Sequence, residues 1–599
     1  MRRRFLRLGA TAAAACAAMI LSGCSGPDPG TLVLLNGTVY TVDSALPEAR
    51  AVVVTGDRIT AVCKTDSWAK RYIGDETKVI DLEGKFVLPG LIDAHVHFDN
   101  AGALLMDANL LTVSDEAGLR AEIKRVVDLL DDGEWITEGR WGAYEQWALG
   151  DAGGAKDEKE SGEAKETKVP WRPNRAMIDD LTPNHPCLLN RFDGKEWLAN
   201  TAALRAAGLA GKRLRGMEIG RDRQPTGIVF RPSPAYDALA KAVVPKSALR
   251  QLDENRAALK ALREAGITEI HDISTPEQEK RFVELEKNGE LTCRVWLRPD
   301  LERGAELMAG GFTMGLHPAT KGKSYMLRYG ALKGYVDGIM GTHGALFFEP
   351  YADRPETSGH WRPHTSDDPA LLTGNMDKLA GLIRTGLEAG FVPNVHAIGD
   401  RAVAETLDLF ERLRKETGKD LLGFRMIHAQ VIRPQDFKRF RPLGVIAEVN
   451  PYHIADDMRW MEERIGPERC KGAYAFKSLL DAGVRLTFGS DWPGTSAALY
   501  SVRPQDLIYA AATRKTLSGQ PAGGWHPEQR ISVKEAVKAY TINAAYAAFE
   551  DDLRGSIKVD NLADFTVFDR NLLQIKPDEI LKAEVTHTIV DGKIVFEKK

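Results

Sequence analysis

Phe86-Val87-Leu88-Pro89-Gly90-Leu91-Ile92-Asp93-Ala94-His95-Val96-His97 is the stretch on which the reading of this chain turns. Two short apolar runs, broken at Pro89-Gly90, end in two histidines one residue apart. In a strand, residues i and i+2 face the same side, so both imidazoles can reach one ion from a rigid support. Neutral imidazole suits zinc and similar first-row cations. Such a pair alone is also what a polar strand face looks like, so its meaning depends on what the rest of the chain supplies.

Downstream, helical stretches alternate with short apolar strands. Leu252–Ala265, Met376–Ala389 and Lys471–Ala482 read as helices. Each runs into a glycine (Gly266, Gly390 or Gly483) and then a short apolar strand, the order expected of parallel strands with helical crossovers. Polar residues stand at the strand ends: His271 and Asp272, His396, His428 and Asp491. In β/α barrels the C-terminal strand ends carry the site. The expected class is α/β, a (β/α)8 TIM-type barrel over residues 89–554.

Upstream, Thr31 to Val87 is a series of short apolar runs separated by turn residues. Asn36-Gly37 and Gly56-Asp57 both read as hairpin signals. Similar runs recur at Asp564–Phe568, Thr586–Val590 and Ile594–Phe596, the last two around Asp591-Gly592. Two β-rich ends around an α/β middle predict one small β-domain built from both termini, residues 25–88 plus 555–599. Gly150 to Val169 is rich in Gly, Lys and Glu, and reads as a mobile surface insertion too polar to order itself.

The chain has 599 residues, too many for one ordinary core. Its 80 basic and 84 acidic residues leave a net charge of −4, which gives no reason to expect nucleic acid as a partner. None of the six cysteines (Cys16, Cys24, Cys63, Cys187, Cys293 and Cys470) forms a CxxC pair. Neither a zinc ribbon nor a disulfide framework is indicated, and the four beyond the leader read as buried thiols.

Residues 1–24 read as an export signal: Arg2, Arg3, Arg4 and Arg7, then an apolar run from Leu8 to Leu21. Leu21-Ser22-Gly23-Cys24 resembles a bacterial lipobox, which implies lipidation at Cys24 and a lipoprotein anchored on the periplasmic side of the outer membrane or at the cell surface. The arginine run also resembles a twin-arginine motif, so either export route stays open.

With those motifs in view, Asp81-Leu82-Glu83-Gly84-Lys85 and the Pro89–His97 run resemble the amidohydrolase superfamily. So do Leu332–Gly338 around Lys333, His396–Ala402, Arg425–Gln430 around His428, and Phe488–Pro493 around Asp491. The subgroup resembled is that of YtcJ-like proteins and N-substituted formamide deformylases. Its further motifs are Asp179–Pro186, Leu198–Leu204, Pro225-Thr226-Gly227, and Pro451-Tyr452-His453 with Asp457 and Trp460. The resemblance implies that the domain built from both termini is a β-sandwich. It also implies a site in which His95, His97, His396, His428 and Asp491 hold one or two divalent ions, zinc foremost. A carboxylated Lys333 would bridge two. Asp491 would be the catalytic acid–base, and water activated on the metal would attack an amide carbonyl.

Three departures, Asp193-Gly194-Lys195, Ile427 and Asn450-Pro451, fall near the expected pocket and leave the substrate open. His453, Asp457, Lys195 and Asp272 are the candidate substrate contacts. Trp141, Trp147, Phe347 and Tyr351 read as pocket walls or as packing. The expected activity is hydrolysis of a non-peptide carbon–nitrogen bond in a small amide. Deamination, ester hydrolysis, or a surface-anchored binding protein without turnover are the alternatives. A homodimer is also compatible.

Overall fold

The computed structural model of the chain describes residues 27–142, 171–320, 324–365, 374–418, 422–495 and 498–599. The leader with Cys24, Trp147 and the insertion at 150–169 lie outside the described residues. Among those described, no helix is long and apolar enough to cross a membrane, and Cys63, Cys187, Cys293 and Cys470 are free and buried.

Both ends of the chain enter one pair of sheets. A six-stranded sheet runs in the order 593–597, 585–590, 565–568, 86–89, 38–40, 48–49. A four-stranded sheet runs 58–63, 51–55, 32–35, 78–81. Val39, Val52, Val54, Val87, Phe565, Val567 and Ile589 form an apolar core with both sheets contributing. Hairpins close at Gly56-Asp57 and at Asp591-Gly592.

Asn36-Gly37 does not close one, which corrects the reading of that pair. Leu32–Leu35 and Thr38–Tyr40 lie in different sheets. Asn36 adopts a left-handed φ of 55° and carries the chain from one sheet to the other. Its amide group is occupied by Asp81 and Arg50, and its N–H by Asp66. A hairpin signal is a local preference, and here side-chain bonds to distant residues use the same tight bend as a corner.

The middle of the chain forms two parallel sheets. The first orders Leu91–Val96 (β1), Ile267–Asp272 (β2), Arg294–Leu297 (β3) and Leu327–Tyr329 (β4), with Gly315–Leu316 antiparallel at the edge. The second orders Leu332–Tyr335 (β5), Pro393–Ala397 (β6), Arg425–His428 (β7), Ile446–Val449 (β8) and Leu486–Phe488 (β9). The sheets meet at both edges. Lys333 N–H donates to the Pro299 carbonyl at 2.8 Å, just beyond β3. At the other edge, Asp491 N–H donates to His95 O at 2.8 Å and His97 N–H to Trp492 O at 2.9 Å.

The helix Ala248–Ala265 stops at Gly266, whose φ of 84° is the left-handed cap that glycine adopts without strain. It buries Leu252, Leu259 and Leu262 in the same core as Phe98 and Ala101 of the helix Phe98–Met106. Each such side chain contributes about 1.5–3 kcal/mol on burial. The helix expected over Lys471–Ala482 shrinks to Phe476–Asp481. The Tyr474 and Ala473 carbonyls are drawn off by the buried Arg514 guanidinium, and Tyr474 N–H donates to Gln430 O.

Between the helices Phe98–Met106 and Ala248–Ala265 the chain forms an inserted module that sequence periodicity did not separate from the parallel-stranded middle. Its antiparallel sheet runs 217–219, 225–230, 196–199, 188–190, and it has apolar clusters of its own around Ile136, Trp141, Leu189 and Val229.

Candidate metal centre

The five ends of β1, β6, β7, β8 and β9 bring together residues spread over some four hundred positions of sequence. Asp491, two residues beyond Gly489, is the hub. Its Oδ1 lies 3.3 Å from both His95 Nε2 and His97 Nε2, and its Oδ2 lies 3.6 Å from His453 Nε2. Two sets of ligand-type atoms, each within 4.8 Å of one another, therefore share this carboxylate: His95, His97 and Asp491, and His428, His453 and Asp491. The His95 and His428 rings are 5.3 Å apart, and those of His396 and His428 4.6 Å. His97 is the most open of these side chains, with 31 % of it exposed.

The backbone is built to hold this geometry. Asp93 Oδ1 accepts from the N–H groups of His95 and Ser490, tying β1 to the end of β9. A Cβ on Gly489 would fall 2.4 Å from the His95 Cβ, so only glycine admits this approach. His428 and Asp491 adopt left-handed φ values of 69° and 57°, a strain of about 1–3 kcal/mol each that surrounding structure must hold in place.

Three of the imidazoles have a defined partner on one ring nitrogen. His95 Nδ1 is 2.7 Å from Glu448 Oε1. His428 Nδ1 bonds Asn450 Oδ1 at 2.8 Å, while the Asn450 amide donates to Gly489 O. His396 turns Nε2 toward Gly338 O and Asp337, and belongs to neither of the two sets of converging ligand-type atoms. Asp337 in turn accepts the N–H groups of Leu346, Ile398 and Gly399. Lys333 is buried, with Nζ 4.8 Å from the Tyr335 ring centroid.

Burial, reinforced by the Lys333 amine, holds His95 and His396 well below the usual imidazole range. Burial does the same for His428, and brings His453 down to about 4. Their rings are neutral at physiological pH and keep a lone pair for a cation. Burial works against the Asp491 charge, and the hydrogen bond from the His97 ring works for it; the carboxyl stays well below its usual range. Burial, then the Arg298 guanidinium, pushes Lys333 down to about 7.

The donor set fits a divalent cation. His95 Nε2 and His453 Nε2 are buried atoms without a hydrogen-bond partner, a costly state for a polar group unless an ion satisfies it. A third set, Asp300, Glu302 and His364, does not fit one. His364 Nδ1 accepts the Tyr335 N–H, so a neutral ring carries its proton on Nε2 and donates to the carboxylates at 3.4 and 3.5 Å.

The expected substrate contacts divide. His453 joins the cluster and stacks on Tyr500, with centroids 4.0 Å apart. Asp457 is buried and already accepts from Gln430 and Tyr474. Asp272 accepts Phe98 N–H and the Ser274 hydroxyl, pinning the turn that follows His97 rather than facing a ligand. Lys195 lies on an exposed turn of the inserted module, beside Asp193. Trp141 donates to Leu189 O inside the module, and Phe347 packs edge-on against Tyr351; all three are core residues. Glu448, Arg298, Asp93 and Tyr500 escaped sequence reasoning. The signal for Glu448 was there to see, a lone carboxylate inside the apolar run Val445–Val449.

Parallel strands ending in an imidazole–carboxylate cluster define the class as metal-dependent hydrolase. A model of the amidohydrolase family matches residues 78–596, and the chain belongs to that family. It is 32% identical over 589 residues to the protein LONG AFTER FAR-RED 3 of Arabidopsis thaliana, covering 94% of this chain and 91% of that one. It is 25% identical over 583 residues to the N-substituted formamide deformylase of Arthrobacter pascens, covering 95% and 98%. Among solved structures it resembles an uncharacterized metal-dependent hydrolase from Pyrococcus furiosus, with a TM-score of 0.67 and 25% identity over 91% of this chain and all of that one.

Proposed function

We propose that this protein hydrolyses a non-peptide carbon–nitrogen bond in a small amide, with N-substituted formamides as the first substrates to test. The observation that carries the reading is Asp491, an ionised carboxylate whose two oxygens face separate imidazole groups. His95, His97, His396, His428 and Asp491 are the assigned ligands of one or two divalent ions, zinc by donor preference, with a carboxylated Lys333 able to link two. When bound, such an ion would supply Lewis-acid chemistry, favouring attack of water on the scissile carbonyl.

The remaining work falls to side chains. Asp491, charged and fixed by its strained backbone, takes the proton of the attacking water on one oxygen and returns it to the departing nitrogen. His453, held neutral beside Asp491 Oδ2, is assigned to contact the substrate. His97, the most exposed of the ligands, marks the side from which substrate enters.

We read the two parallel sheets, with β4 and β5 as one bent strand, as a (β/α)8 barrel. The backbone bonds at both edges support this. Residues 25–88 and 555–599 are read as its companion β-sandwich domain. Export and lipidation at Cys24 complete the reading, and the mass of the mature N-terminal peptide tests them.

The decisive experiment incubates metal-loaded and chelator-stripped protein with N-substituted formamides, cyclic amides, aminated bases and esters. Formate and amine release that depends on metal supports the proposal. Ammonia or alcohol as the sole product moves the activity to deamination or ester hydrolysis, and no turnover of any substrate by the metal-loaded protein rejects it.

A further inference from the structure

We propose that Glu448 is the positioning residue of the metal centre, presetting His95 in the tautomer that can bind a cation. The inference rests on the assignment of His95 as a ligand. Glu448 lies on β8, fully buried, and does not face the cluster directly. Its Oε1 is 2.7 Å from His95 Nδ1. Arg298 Nη1 reaches both of its oxygens, at 2.8 and 3.0 Å, and Arg425 Nη1 reaches Oε2 at 3.0 Å. The guanidiniums are themselves anchored, Arg298 to His271 O and Arg425 to His271 Nδ1.

The chemistry leaves one arrangement. Arginine is always charged and only donates, and an ionised carboxylate only accepts. A carboxylate between two guanidiniums therefore meets His95 as an acceptor, and the proton of the neutral ring sits on Nδ1. Nε2 is then bare. It is buried without a hydrogen-bond partner, and the nearest group, Asp491 Oδ1 at 3.3 Å, is another acceptor. Two lone pairs held this close repel unless a cation lies between them. Glu448 thus prepares the pair before any ion arrives. Oriented partners of this kind are worth about 10–100-fold in metal affinity.

Glu448→Gln turns the arrangement round. The guanidiniums hold the amide oxygen, so the NH2 group faces His95 Nδ1, which must accept. The ring proton moves to Nε2 and the lone pair facing Asp491 is lost.

Two measurements test this. In metal-free wild-type protein labelled with 15N-histidine, the His95 signals, assigned by their loss in His95→Asn, are expected to show a protonated Nδ1 and a bare Nε2. The opposite tautomer overturns the inference without reference to any variant. Zinc affinity measured by chelator competition is expected to fall about 10–100-fold in Glu448→Gln, in protein whose circular dichroism matches wild type. Equal affinity overturns the inference while leaving the metal centre standing. A wild-type protein that binds no zinc, manganese or cobalt overturns the metal centre, and this inference with it.

Discussion

The strand ends around Asp491 and the inserted module between residues 107 and 247 are equally rich in polar motifs, but they satisfy them differently. In the module, Asn200 spends its whole side chain on structure. Its oxygen accepts from Cys187 and Ala203 N–H, and its nitrogen donates to the Thr182 hydroxyl and His185 O. Asp179 is taken by Thr201 and Arg175 in the same way. At the strand ends, by contrast, His95 Nε2 and His453 Nε2 are buried with nothing to bond, beside a carboxylate. Polar residues whose bonds are complete hold a fold, and convergent lone pairs left open mark a site.

That contrast can be broken first at its hub. Asp491→Asn removes the charge and proton acceptor, and is expected to lower hydrolysis by more than about 10³-fold, with the unfolding transition little changed. A mutant retaining wild-type turnover would remove Asp491 from catalysis.

Next comes Gly489→Ala. The added methyl must displace His95, and an ångström of misplacement costs about 100-fold in rate. The check is kcat together with zinc content. An unaffected enzyme would show that the close approach of β9 to β1 is not what sets the ligand geometry.

Asn200→Ala should sharpen the other half of the comparison. Four bonds of a buried amide are lost, so stability is expected to drop by about 2–4 kcal/mol in urea unfolding. The kcat/KM of the folded protein should stay within about threefold, because the Asn200 bonds hold the module and not the strand ends. A large kinetic loss at unchanged stability would move the module into the active site.

The smallest effect is a pH dependence. The Lys333 amine titrates near 7 in the fold, against its ordinary 10.5. Between those values the unfolded chain binds the extra proton, so Lys333 contributes a rise in the stability of metal-free protein with pH across that window. Only the neutral amine can take up CO2, so a 13C carbamate signal from labelled bicarbonate should fade as pH drops through 7. Lys333→Met should abolish both the slope and the signal, and a slope that survives the substitution would assign it to another group.

Much of this was legible in the residues. The helix–glycine–strand order placed β2, β6 and β9, because Gly266, Gly390 and Gly483 follow their helices in a local left-handed conformation. The ligand types announced themselves because imidazole and carboxylate at strand ends are chemically conspicuous. The Asn36-Gly37 hairpin and the Lys471 helix failed for one reason. In both, side chains remote in sequence claimed the backbone groups or the bend on which the local preference depended. What the sequence could not show is that Asp272 also holds the turn after His97 and that Asp457 also accepts from Gln430 and Tyr474.

The sequence by itself determined the family, the chemical types of the ligands and the alternation of helix and strand, since these follow from residue identity and short-range spacing. Tertiary structure alone decided which of the histidines face one carboxylate, which polar groups are satisfied, and that Glu448, 353 positions from His95, lies against its imidazole. Those facts depend on contacts between strands far apart in the chain, and no local pattern encodes them.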